Sequence, residues 1–242
     1  MTIPFIACCV TAVTSADSPR DGAEEPPPIA RPDAVGTEDA FRSPEDGGPR
    51  RWQVAGDDGL RLRDAPASDA PAIGAVDAGE ILSGFGCVRV DGATWCEVRH
   101  FRGGPRGFAA GESLAPARGP DGIVPYGTDD SAARVRAKDF DARVRVPCAQ
   151  EHDRVYEACD AAVARGSGGD ATVVATFPNG FSRTLFFVHG EFVSASATMS
   201  GSGTDTDWSS TNGLHTLRVD GQSYELTDEF VFGGRGLPQD AR

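Results

Sequence analysis

The chain has 242 residues, with 36 acidic against 23 basic side chains and a formal charge of −13. A surface that acidic repels nucleic acid and anionic lipid, so neither is expected as a partner. Hydrophobic residues make up only 39%, and Gly (30) and Pro (17) are abundant, so part of the chain is expected not to fold and the rest to divide into two small units.

Residues 1–16 contain one apolar run, IPFIACCVTAV. It is too short to span a bilayer, which takes about 20 residues, so no membrane span is expected. Its length suits the apolar region of a signal peptide, and Thr14 and Ala16 suit a cleavage site, although no Lys or Arg precedes it. A signal peptide would place the protein outside the cytoplasm, secreted or periplasmic. An ordinary apolar tail and a lipid anchor on Cys8 are the lesser alternatives, and the anchor lacks the usual Leu three positions earlier. Without residues 1–16, four cysteines remain in two close pairs, Cys87/Cys96 and Cys148/Cys159. That is disulfide arithmetic for an oxidising compartment.

Residues 17–50 hold nine acids, four arginines and seven prolines, with Pro26-Pro27-Pro28 in a row. Composition makes this a disordered, acidic, proline-rich tether, with a proline-rich ligand as the lesser reading. In residues 51–117, short apolar runs alternate with turn signals (WQV, GLRLRD, AIGAVDAG, EILSGF, CVRV, ATWCEV, RGFAA, SL) and no helical period is sustained. A small all-β unit is expected there, then a Gly-, Pro- and Asp-rich linker over 118–136. Residues 137–233 read as a second antiparallel β unit. DATVVATF, FSRTLFFV and EFVSAS form a meander through PNG and HG turns, and LHTLRV with QSYEL forms an Asp-Gly hairpin. SGSGTDTDWSS reads as a polar loop, and the final GRGLPQDAR as a frayed tail.

The stretch GCVRVDGATWCEV defines its own geometry. A two-residue turn at Asp91-Gly92 pairs Val90 with Ala93, Arg89 with Thr94, Val88 with Trp95 and Cys87 with Cys96. Counted outward, the cysteines occupy a non-hydrogen-bonded pair, where side chains are closest. Their Cβ separation there is roughly 4.5 Å, close to what a disulfide needs. Closing so short a loop stabilises by about 2.5–3 kcal/mol in the chain-entropy model. Val88, Val90, Ala93 and Trp95 lie on the other face, which is expected to be the core face. Cys148 and Cys159 flank AQEHDRVYEA and are expected to pair likewise. Zinc needs four ligands in close pairs, and no such spacing occurs.

The first unit resembles the bacterial SH3-like (SH3b) domains. Leu60, Leu62, Arg63 and Pro66 match the family's opening, followed by Ile73, Gly74, Val76 and Gly79. Trp95, Val98, Gly107 and Leu114 continue the pattern, with departures at Phe108 for Trp, Ala109 for Val and Ser113 for an aromatic residue. Several members carry a similar Gly-Cys…Trp-Cys pair. The resemblance covers about a quarter of the chain, and it is the order of the motifs that makes it specific. It implies a five- to seven-strand barrel of secreted or envelope proteins. Some relatives accompany cell-wall enzymes and some bind peptidoglycan peptides. No binding residue is carried over, because no motif marks the ligand groove. Residues from FDARVRVPCAQ to LFFVHGE are similar to the C-terminal part of uncharacterised secreted alphaproteobacterial proteins, a likeness that implies a location and no activity.

Catalytic signatures are missing from the second unit. No G-x-S-x-G elbow or H-E-x-x-H occurs. Cys148 lies near His152, but pairing with Cys159 would consume its thiol. Asp205 and Asp207 lack the companions of a calcium loop. Phe181, Phe186, Phe187 and Phe192 are expected on strands, with the adjacent Phe186 and Phe187 on opposite faces. Trp208, placed in the polar loop, is the candidate binding contact. The expectation is therefore an all-β, non-catalytic envelope protein without metal or cofactor, which binds or scaffolds. Peptidoglycan or an envelope protein would be its partner. A cell-wall hydrolase with its site in residues 137–233, or an inhibitor-like partner of another secreted protein, are the alternatives.

Overall fold

The computed structural model describes residues 41–151, 155–197 and 205–234, and the expectations for residues 1–40 and for most of the C-terminal tail lie outside them. Strands account for most of the structure. The first sheet contains β1 (Arg51–Val54), β2 (Leu60–Arg63), β3 (Ala72–Val76), β4 (Ile81–Val90), β5 (Ala93–His100), β6 (Gly107–Ala110) and β7 (Leu114–Pro116), in the antiparallel order β3-β2-β6-β5-β4-β1-β7. Asp91 and Gly92 have φ of +50° and +82°, the pair of positive values that a tight hairpin turn requires. Cys87 therefore faces Cys96, Val88 faces Trp95, Arg89 faces Thr94 and Val90 faces Ala93, the register that the turn arithmetic demands. Cys87 and Cys96 are bonded, with Cα atoms 3.9 Å apart.

Two details differ from expectation. EILSGF and CVRV are one continuous strand, β4, with an irregularity between Gly84 and Cys87. The core face of the hairpin is the cysteine face: Cys96 and Val98 are fully buried, whereas Val88 is 47% exposed and Ala93 is exposed. The disulfide supplies apolar volume of its own, so it can face inward with Trp52, Val54, Leu62, Leu82, Ala109 and Leu114. Trp95 is buried as well, but outside that cluster.

The second sheet holds β8 (Ala142–Ala149), β9 (Glu157–Arg165), β10 (Ala171–Thr176), β11 (Ser182–Val188), β12 (Glu191–Ala195), β13 (Thr206–Thr211), β14 (Leu214–Val219) and β15 (Gln222–Thr227), in the order β12-β11-β10-β9-β8-β15-β14-β13. Its edges, β12 and β13, approach within 8 Å at Cα, so the sheet curls nearly into a barrel. Phe177, Leu185, Phe187, Leu217, Val219, Tyr224 and Leu226 fill its interior. Phe187 faces inward and its neighbour Phe186 lies outside that cluster, as strand alternation requires. Cys148 and Cys159 are bonded diagonally across β8 and β9, with Cα atoms 5.8 Å apart.

The predicted polar loop before residue 212 is strand β13 over Thr206–Thr211. Asn212 and Gly213, at φ +53° and +74°, turn it tightly into β14. The Asn-Gly signal was present in TNGL. The Ser-, Thr- and Asp-rich strand before it is exposed on most positions and so shows no apolar alternation. Among the described residues there are two short α-helices, α1 (Ser131–Arg136) and α2 (Asp228–Phe232), the second capped by the Thr227 hydroxyl accepting from Phe230 N at 3.2 Å.

The two sheets share one compact unit. Arg50 and Arg51, just ahead of β1 and at its start, both pair with Asp170, which is 1% exposed and precedes β10. The remaining polar capacity of Asp170 receives the His189 backbone N–H at 3.1 Å. Residues 118–136 also pack on the second sheet: Asp121 accepts from Gly168 N at 2.9 Å, and the hydroxyls of Ser131 and Thr172 lie 2.7 Å apart.

Candidate binding site

Composition assigns residues 41–50 to the tether, yet they are folded across the first sheet. Phe41 stacks on Trp52, with ring centroids 5.9 Å apart and planes at 15°. Ser43 starts a single helical turn, its hydroxyl accepting from Asp46 N at 3.3 Å and donating to Asp46 Oδ2 at 2.9 Å. Gly86, at φ +113°, lets this strap come down on β4, since a Cβ there would sit 3.2 Å from Ser43 Cβ. Gly111 does the same at the other side, where a Cβ would lie 3.1 Å from Thr94 Cβ and 3.2 Å from Phe41 Cε1.

The strap divides a groove into two cavities. One, of about 850 Å³, is lined by Phe41, Ser43, Phe85, Val88, Arg89, Thr94, Glu97 and Phe108. The other, of about 640 Å³, is lined by Phe41, Arg61, Arg63, Thr94, Trp95 and Glu112. Phe41 and Thr94 belong to both. The walls are aromatic and the rim carries charges of both signs. Arg106 grips Glu97 with two contacts, of 2.5 and 2.8 Å, while its guanidinium lies 3.9 Å over the Phe85 ring. That bidentate, stacked arrangement holds one end of the groove in shape.

Trp208, the residue singled out from the sequence, sits on β13, half-buried against the interior of the second sheet. Its indole Nε1–H donates to His215 Nδ1 at 3.1 Å, and its ring stacks on the imidazole. His215 Nε2 lies 2.6 Å from Asp228 Oδ1. A nitrogen that accepts from indole carries no proton, so His215 is neutral, with its proton on Nε2 directed to Asp228. Burial pushes its pKa down, opposed by Asp228. With both nitrogens engaged and 1% exposure, His215 presents no base to a substrate. His189 is also pushed down, chiefly by burial and by Arg51. His100 lies 2.8 Å from Glu80. The Cys148 thiol is consumed by its disulfide, and His152 lies outside the described residues.

The comparison with known families bears on the first of these regions. Residues 58–115 match the bacterial SH3 domain. No curated protein and no solved structure matches the chain. The matched SH3 segment spans β2 to β6 and nearly all of β7, including both cysteines of the hairpin. Phe41, Ser43 and Trp52 lie ahead of it, so one wall of the groove is an addition to the SH3 segment. Composition concealed this strap because one phenylalanine among charges and prolines gives no periodic signal. No helix among the described residues is long and apolar enough to cross a membrane.

Proposed function

We propose that the protein is a non-catalytic binding protein of the bacterial cell envelope, exported to an oxidising compartment, and that its SH3-like sheet takes a peptide of the cell wall in the groove beneath Phe41. The observation that carries this reading is the groove itself: two cavities of about 850 and 640 Å³ meeting at Phe41 and Thr94 on an SH3 segment. Aromatic walls with a rim of both charges suit a short peptide carrying both amino and carboxylate groups. Two disulfides among the described residues fit export. The saturated hydrogen bonding of His215 favours binding over catalysis as the role of the second sheet.

Co-sedimentation of the purified protein with isolated cell-wall sacculi tests this. The intact protein is expected in the pellet. Val88→Asp and Arg89→Glu, at exposed groove positions, are each expected to weaken retention about 5- to 30-fold, the range for a loss of about 1–2 kcal/mol. No retention of the intact protein, or retention indifferent to both substitutions, overturns the reading.

A further inference from the structure

A second surface stands out because its charge opposes that of the whole chain. On the outer face of the second sheet, β8, β9 and β10 form a shallow groove of about 600 Å³. Register places Arg143 beside Ala162 and then Val174, and Arg145 beside Asp160 and then Thr176. The floor is thus small and apolar, and the rim is cationic. Lys138, in a left-handed conformation at φ +58° just after α1, completes the rim.

The cations differ in how far they are neutralised. Nearby Arg134 is fully used by Asp139 and Asp141. Arg145 meets Asp160 at 3.3 Å in an exposed pair, which is weak. Among the described residues neither Lys138 nor Arg143 has a carboxylate partner. The Arg143 guanidinium instead lies 4.4 Å over the Phe140 ring, which fixes its plane and leaves its N–H edges free. Three cations face one carboxylate here, on a chain of net charge −13.

We propose that this groove binds an extended acidic peptide segment of a protein partner, with carboxylates at alternate positions. Arg143 and Arg145 are two residues apart on one strand face, a spacing of about 6.6 Å, and alternate side chains of an extended peptide repeat at the same interval. A bidentate carboxylate suits the planar guanidinium. A long polyanion does not fit, because fields reach only about 8 Å at physiological salt, and beyond the groove it would meet an acidic surface. A short segment stays within the patch.

The test is fluorescence anisotropy of a labelled peptide alternating Glu and Ala, titrated with the full chain at low and physiological salt. Saturable binding that weakens with salt is expected. Arg143→Glu and Lys138→Glu, both exposed, are expected to reduce affinity at least about tenfold each, while thermal melts show the fold intact. Arg89→Glu, in the groove of the first sheet, is expected to leave it unchanged, so this result is independent of sacculus binding. No binding at low salt overturns the proposal. So does an equal loss in Arg89→Glu, which would mean bulk charge or capture in the groove of the first sheet, or tighter binding of inorganic polyphosphate than of the peptide.

Discussion

The two sheets solve the same problem with unequal means. Among the described residues, the first has an interior cluster of eight buried side chains, two of them Ala109 and Cys96; the second has nineteen, with Phe177, Phe187, Phe192 and Tyr224 among them. Apolar burial contributes about 25 cal/mol per Å², so the smaller cluster leaves the first sheet more dependent on its staple and on its neighbour. The outer surfaces follow suit. The first sheet keeps a strap over its groove, and the second leaves a small-residue face open.

The strongest way to break this comparison is to separate the sheets. Asp170 holds Arg50 and Arg51 at their junction and is 1% exposed. Asp170→Ala removes the buried carboxylate that both guanidinium groups share and leaves Arg50 only the longer contact to Asp129 at 4.0 Å, which costs about 3–5 kcal/mol. Urea unfolding is expected to change from one transition to two, with the first sheet melting earlier. A single transition at unchanged midpoint would mean that the sheets do not support each other.

The next largest effect comes from the staples. Replacing Cys87 and Cys96 together with Ala is expected to cost about 2.5–3 kcal/mol by the loop-closure model. The Cys148/Cys159 replacement costs a similar amount by that model, yet the larger interior should keep the second sheet folded at room temperature. Hydrogen exchange resolved by strand separates the outcomes. Loss of protection in β4 and β5 with the first double replacement, and retained protection in β10 and β14 with the second, is the expected pattern.

A smaller effect is expected at the strap. Phe41 is half-buried on Trp52, so Phe41→Ala should cost about 1–2 kcal/mol, less than the 3–5 of a fully buried ring. For a chain of this size that is a fall in Tm of a few degrees. The Trp52 indole resonance should shift, and sacculus retention should change as the two cavities merge. Acidic-peptide binding on the second sheet should not.

What could be read from the sequence tracks how local the governing physics is. The Cys87–Cys96 register was legible because a two-residue Asp-Gly turn fixes every pair beyond it. The face of that hairpin was not, since either face could have turned inward and only the packed sheet decides. The meander over 171–195 was legible from its PNG and HG turns, whereas β13 was concealed by its polar composition despite the Asn-Gly turn after it. The groove needed Phe41, Trp52 and Thr94 together. Those residues are far apart in sequence and carry no motif. The basic groove required knowing which arginines lack partners, which spacing cannot reveal: Arg134 and Arg143 look alike in SAARVRAKDFDARVR, yet Asp139 and Asp141 neutralise the first and the second lies on Phe140.

The finest probe of the second sheet is proton-dependent. Burial holds His215 below its ordinary pKa, so the folded state resists a proton that the unfolded chain accepts at about 6.5. The stability this histidine supports is complete above that pH and is lost as pH falls through the lower, folded-state value. His189 acts in the same direction, among Arg51, Asp170 and Asp121, so the urea midpoint should decline as pH falls below about 7 in the intact protein. Trp208 gives the residue-level test. Its indole N–H points at Nδ1, the atom a second proton would occupy. Trp208→Phe should therefore cost about 1 kcal/mol at neutral pH through the lost hydrogen bond. It should also flatten the decline, because protonated His215 no longer faces an opposing donor. His215→Asn should remove its share of the decline entirely, leaving that of His189. An unaltered slope in both variants would assign the acid sensitivity to the junction of the sheets and leave Trp208 with a packing role alone.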